Sequence, residues 1–145
     1  MAQPILIASD HAGLELKERV RQLLERKGLA YRDLGTDATE PVDYPDFAHR
    51  VAEAIGNGSA ERGILVCGTG IGVSIVANRH PGVRAAFAFD EVTARLGREH
   101  NDANVLALGG RTIPHDLAER IVEIWLETPF AGGRHAVRVG KIDAR

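Results

Sequence analysis

Cysteine is almost absent from this 145-residue chain: Cys67 is the only one. A single thiol forms no internal disulfide, which fits a reducing compartment such as the cytoplasm, and it cannot assemble a cysteine zinc cluster. A basic excess is missing too, because 18 Lys and Arg stand against 20 Asp and Glu, a net charge of −2. Nucleic-acid and membrane-surface proteins usually carry the opposite imbalance, so neither partner is expected. The longest charge-free run, 63–78, is too short and too rich in glycine to span a bilayer. The opening MAQPILIASD has no basic region and only a short apolar stretch, so no secretory leader is expected. No His-x-x-x-His pair or carboxylate cluster has metal-ligand spacing, so no metal is expected. Internal repeats and low-complexity segments are also lacking, which leaves one ordinary domain over 1–145.

What the chain does have is a steady alternation of apolar runs and amphipathic stretches. An apolar run at 4–9 stops at Asp10. From 12 to 27, Leu14, Val20, Leu23 and Leu24 recur near helical spacing among charges, and Gly28 supplies a stop. Residues 29–35 read as a strand, and 37–45, with Pro41 and Pro45, as a loop. Asp46 is expected to cap a helix reaching 55. Strand 63–67, helix 73–79, strand 83–89, helix 90–99 and strand 104–109 follow. A last helix runs from Pro114, where proline suits a first turn, to about 127. The basic tail after Pro129 lies outside that helix, either as a solvated end or as an arm reaching a neighbouring subunit. Nearly uniform apolar strands alternating with helices predict a single-domain, Rossmann-like three-layer α/β/α sandwich around a five-stranded parallel sheet.

Ligands of open parallel sheets bind at the carboxyl ends of the strands. The polar residues nearest those ends are Asp10 and His11, then Cys67 and Thr69, then His100, Asn101 and Asp102, then Arg111. They are expected to converge on one edge. The glycine loop GTGIG (68–72) matches no familiar nucleotide motif: Val73 occupies the third glycine of a dinucleotide fingerprint, and no Lys-Ser/Thr follows. Val73 also stands where a cysteine phosphatase would hold its arginine. What remains is physical. Small residues between strand and helix let backbone N–H groups face an anion, and the same field suits a thiolate base. Taken alone, Cys67 is better explained as a small buried residue closing a strand. His49, His80 and His115 are assigned no chemistry. Arg134 and Arg138 alone read as solvated charges, and Asp10 and Asp43 as caps.

The combination says more. SDHAG (9–13), DYPDFA (43–48), VCGTGIGVSIVANR (66–79), EHNDANVLALGGR (99–111) and GGRHAVR (132–138) resemble, in order and spacing, the RpiB/LacAB sugar-phosphate isomerase family. The match is nearest the branch that interconverts D-ribose 5-phosphate and D-ribulose 5-phosphate. The resemblance implies a cofactor-independent aldose–ketose isomerase working through an enediolate. It assigns Cys67 as the base at C2 and C1, and His100 with Thr69 to ring opening. It implies an anion hole over Gly68, Thr69, Gly70, Ile71, Gly72, Val73 and Ser74, helped by Asn101. Asp10 would bind sugar hydroxyls, Asp43 and Tyr44 would order the pocket, and His11, Arg111, Arg134 and Arg138 would clamp the phosphate. Relatives without the cysteine carry a glutamate at the position of Val73, so Cys67 with an apolar Val73 is self-consistent. Small departures occur at Val76 and Gly110, and neither removes a chemical group. The resemblance also implies a homodimer or tetramer with shared active sites. The basic tail, about 129–145, would then complete a partner's phosphate site, and the sheet edge and helix 114–127 would form the interface. The alternatives are an isomerase of allose or galactose 6-phosphate or of a tetrose 4-phosphate, or a non-catalytic phosphate-binding module of flavodoxin-like shape.

Overall fold

The computed structural model describes residues 3–144. Five parallel strands form one sheet: β1 Ile5–Ser9, β2 Tyr31–Asp33, β3 Gly63–Cys67, β4 Ala85–Phe87 and β5 Val105–Gly109, in the order β2-β1-β3-β5-β4. The three inner strands are buried at every position, which is why they read as unbroken apolar runs. The edge strands are shorter than expected, three residues each, because each has a neighbour on one side only. Register pairs Gly63 with Val105 and Cys67 with Gly109, so β3 and β5 end together at the carboxyl edge.

Side chains alternate between the two faces of the sheet, and each face is covered by helices. Ile5, Ile7, Ile64, Val66, Leu106 and Leu108 meet α1 (Leu14–Arg26), α5 (His115–Glu127) and Ala94 of α4 (Glu91–Glu99). Leu6, Ala8, Leu65, Cys67 and Ala107 meet α2 (Tyr44–Gly56) and α3 (Ile71–Ala77) on the other face. These layers confirm the predicted sandwich.

Boundaries differ where local geometry overrides the sequence signal. Helix α2 starts at Tyr44, with Asp43 as its N-cap residue and Asp46 inside the first turn, because proline is tolerated in that turn. Helix α3 starts two residues earlier than expected, because Gly70 adopts φ 82° and turns the chain at once. The basic tail contains a helix, α6 (Arg134–Asp143), contrary to expectation. Val139 is its buried residue, so the tail lacks the repeating apolar signal that marks the other helices. Arg84 fastens its far end through Asp143 at 2.9 Å.

Helix α5 also corrects an expectation. Ala118, Ile121, Val122 and Trp125 are fully buried in this chain's own core, so its apolar face is not available to a partner. Exposed large apolar residues lie elsewhere: Ile71 and Ile75 on α3, Phe87 at the end of β4 with Phe89 and Val92 after it, and Val137 and Ile142 on α6. Edge strand β4 is blunted by Asn78, whose side chain bonds both the N–H of Ala85 (2.8 Å) and its carbonyl (3.1 Å).

Candidate active site

The carboxyl edge of the sheet gathers the first group of predicted residues. Asp10 is buried immediately after β1, and its Oδ1 accepts the Gly13 N–H at 2.9 Å, capping the short 3-10 turn His11–Gly13. A Cβ on Gly13 would lie 2.6 Å from the Val66 carbonyl oxygen, so only glycine lets this turn sit against β3. His11 Nδ1 accepts the Val42 N–H at 3.1 Å. An imidazole that accepts at Nδ1 carries its proton on Nε2, the nitrogen left to donate to an anion. The loop carrying Val42 is anchored at its start by Lys17, a fully buried lysine paired with Asp33 at 2.7 Å and with the Thr36 carbonyl. Neither Lys17 nor Val42 was foreseen, since both act through backbone or burial rather than through a motif.

Cys67 closes β3 in a buried position, and its Sγ accepts the Gly70 N–H at 3.2 Å. A donor aimed at sulfur solvates negative charge there. The Gly70 backbone is left-handed, and a Cβ there would meet the Leu108 carbonyl carbon at 2.8 Å. Thr69 Oγ1 accepts the Ile71 N–H at 3.2 Å, and the Ser74 N–H closes the first helical bond to Gly70 at 3.2 Å. The Gly72 and Val73 N–H groups therefore have no intrahelical acceptor one turn back. The Tyr44 ring lies so close to Gly72 that a Cβ there would fall 2.5 Å from it, which fixes Tyr44, and Asp43 beside it, next to the loop. From β5, the Gly110 N–H bonds the Cys67 carbonyl at 2.8 Å and the Arg111 N–H bonds that of Gly68 at 2.9 Å. Asp10, His11, Tyr44, Cys67, Thr69 and Arg111 are thus neighbours, as expected.

His100 and Asn101 do not join them. A helix that leaves a parallel strand starts at the carboxyl edge and returns to the amino edge, and both residues follow the end of α4. The Gly63 N–H, at the start of β3, bonds the Asn104 carbonyl at 3.0 Å, which places this segment at the amino edge. Five residues of strand, about 13 Å, separate the two edges. The expectation of a single convergent edge is therefore wrong within one chain. Asp102 is taken up by Arg98 at 2.9 Å and Arg84 at 3.5 Å.

The amino-edge group has its own order. His100 stacks on His135, with ring centroids 4.2 Å apart and planes 11° from parallel. His135 lies on α6 between Arg134 and Arg138, so these arginines stand with His100 rather than with Cys67. Burial, and then the positive charge of His100, Arg134 and Arg138, holds the His135 pKa below its ordinary value, with Glu99 opposing. Sequence reasoning missed His135; its adjacency to Arg134 in GGRH was the one available signal. His115 Nε2 lies 3.0 Å from the Gly110 carbonyl, while His49 and His80 face each other at 2.7 Å between α2 and the turn after α3. Among the described residues, no group of three or more His, Cys, Asp or Glu side chains is placed to hold a metal ion, and no helix is long and apolar enough to cross a membrane.

Comparison with known proteins adds independent findings. The profile of the family described as Ribose/Galactose Isomerase matches residues 5–142. The chain is 49% identical over 139 residues to a putative sugar phosphate isomerase of Bacillus subtilis, covering 95% of this chain and 93% of that protein. It is 45% identical over 139 residues to a D-erythrulose-4-phosphate isomerase of Pectobacterium atrosepticum, covering 95% and 91%. Ribose-5-phosphate isomerase B of Mycoplasma genitalium, solved with bound ribulose-5-phosphate, superposes with a TM-score of 0.96 at 43% identity, covering 99% of this chain and 96% of that one.

Proposed function

The chain belongs to the ribose/galactose isomerase family, and from that premise we propose that it interconverts D-ribose 5-phosphate and D-ribulose 5-phosphate with Cys67 as the base. The observation that carries this reading is the thiol at the mouth of the glycine loop, with the Gly70 N–H on its sulfur and Asp10, His11 and Arg111 along the same edge. Removal of the C2 proton by the Cys67 thiolate leaves a C1–C2 double bond and negative charge on O1. Return of that proton to C1, with the O2 hydroxyl proton passing to O1, completes the ketose. Within the loop 68–74, the Gly72 and Val73 N–H groups, which have no intrahelical acceptor, stabilise the enediolate charge only as it develops, which is where such donors lower a barrier. Asp10 binds sugar hydroxyls, and Asp43 and Tyr44 order that side of the pocket. His11 Nε2–H and Arg111 take the phosphate, helped by two further guanidinium groups, Arg134 and Arg138.

Those two arginines, with His100 and Asn101, lie at the wrong end of the sheet to meet Cys67 of their own chain. A second copy of the chain supplies them. His100 of one copy, with Thr69 of the other, opens the closed sugar ring, and α6 completes the phosphate clamp. The exposed apolar residues Ile71, Ile75, Phe87, Phe89 and Val92 favour a homodimer, because they follow the glycine loop and the end of β4 and find no cover within this chain.

The test is kcat/KM on ribose 5-phosphate, allose 6-phosphate, galactose 6-phosphate and erythrose 4-phosphate with EDTA present. Ribose 5-phosphate is expected to be preferred, with solvent deuterium entering at the exchanging carbon. A preference for the tetrose phosphate would follow the Pectobacterium relative and keep Cys67 in its role. No turnover and no deuterium exchange would leave a phosphate-binding module.

A further inference from the structure

We propose that His135 is a positioning residue for His100, a stacked plate that fixes the plane of the ring-opening imidazole. The inference rests on the isomerase reading above. Parallel rings at 4.2 Å and 11° leave His100 little freedom to swing out of plane. The contact is built in by the backbone. The Ala131 N–H bonds the carbonyl of Glu99, the residue before His100, at 3.1 Å. Gly132 and Gly133 then turn the chain at φ 66° and 57°, and the His135 N–H closes on the Gly132 carbonyl at 3.1 Å. Side chains rarely adopt such φ values, so this turn is specified by its two glycines.

Charge supports the same role. Burial first, and then a net positive surround of His100 just after α4 and Arg134 and Arg138 on α6, opposed by Glu99 of α4, favour the uncharged His135 ring. An uncharged aromatic face can hold an imidazolium against it, whereas a second imidazolium would repel it. Opening a furanose breaks the C1–O4 bond while one proton leaves the O1 hydroxyl and one arrives on O4. That exchange needs a ring nitrogen aimed along one direction, and a misplacement of about 1 Å can cost about 100-fold in rate. Erythrose 4-phosphate carries its phosphate on the oxygen that would close a furanose, so it has no ring to open.

His135→Ala and His135→Phe are compared with the wild type on ribose 5-phosphate and erythrose 4-phosphate across pH about 5 to 9. His135→Ala is expected to lower kcat/KM on ribose 5-phosphate by about 10- to 100-fold and to move its acid limb. The tetrose phosphate should change by less than about threefold, and His135→Phe, which keeps a flat uncharged ring, should stay within about threefold of wild type on both. Equal losses on the two sugars, or a Phe variant no better than Ala, would overturn the proposal. A second readout does not need turnover: the His100 Cε1 proton should show a ring-current shift that His135→Ala removes and His135→Phe retains. Absence of that shift in the wild type refutes the stack. Wild-type inactivity on ribose 5-phosphate instead refutes the ribose 5-phosphate reading, and inactivity on every sugar phosphate refutes the isomerase reading; in either case the stack then stands or falls on the ring-current signal.

Discussion

At the scale of single residues, Cys67 and Gly72 make opposite kinds of demand. Cys67 is asked for chemistry, so Cys67→Ser should lower kcat by on the order of 100-fold or more with a modest change in KM. Near-wild-type kcat in steady-state assays would remove the thiol from the mechanism. Gly72 is asked for absence. A methyl group there meets the Tyr44 ring, so Gly72→Ala should cost about 1–3 kcal/mol in urea unfolding and push Tyr44 off the loop. Adding Tyr44→Ala should recover most of that stability; Tyr44→Phe should not relieve it, because the clash is with the ring itself. The contrast marks what a sequence discloses at this scale. Asp10, His11 and Arg111 follow, and Cys67 ends, a strand whose apolar run announces where it stops, so their shared edge was legible. The closeness of Gly72 to Tyr44, and the Val42 N–H on His11, join residues distant in sequence through packing that no local pattern records.

Among the elements, α6 and α4 repay the closest comparison. Inner strands and well-packed helices were legible because many positions of each are buried, and burial selects apolar side chains at a fixed period. Helix α6 buries Val139 and leaves Val137 and Ile142 in solvent, so it offered no such period. The chemistry proposed for it comes from the arginines of GGRHAVR. Arg138→Ala should chiefly raise KM for ribose 5-phosphate, by about tenfold, and leave kcat nearly unchanged; an unaltered KM would return this residue to solvent. Helix α4 begins with a reciprocal cap in which Asp90 and Thr93 bond each other's backbone, and those hydrogen bonds hold the Asp90 pKa below its ordinary value. A depressed carboxylate pKa adds stability at pH above the unfolded value and loses it as pH falls through the folded one. The Tm advantage of wild type over Asp90→Asn should therefore be present at neutral pH, begin to shrink below about pH 4 and be lost as pH falls through the lower folded value, as thermal melts at several pH values would show. An advantage independent of pH would mean that the charge on Asp90 contributes nothing.

For the molecule as a whole, the telling fact is that the residues of one proposed mechanism stand at opposite ends of one sheet. Strand order could not announce this from the sequence. His100 and Arg111 look like neighbours across a short strand, and only the direction of β5 sends one to each edge. On the shared-site reading, Cys67→Ser and His100→Ala chains are each inactive on ribose 5-phosphate alone. Mixed, unfolded and refolded together, they should regain about a quarter of wild-type activity, because half the dimers are mixed and each mixed dimer holds one intact site. No recovery, in a mixture shown to contain mixed dimers, would place both residues in the same chain's site.

On the shared-site reading, the same division fixes how a lesion would be inherited. A chain carrying only Cys67→Ser, produced beside a normal one, silences one site of each mixed pair, and activity falls in proportion to gene dose. A chain carrying Cys67→Ser and His100→Ala together silences both, and behaves as a dominant poison.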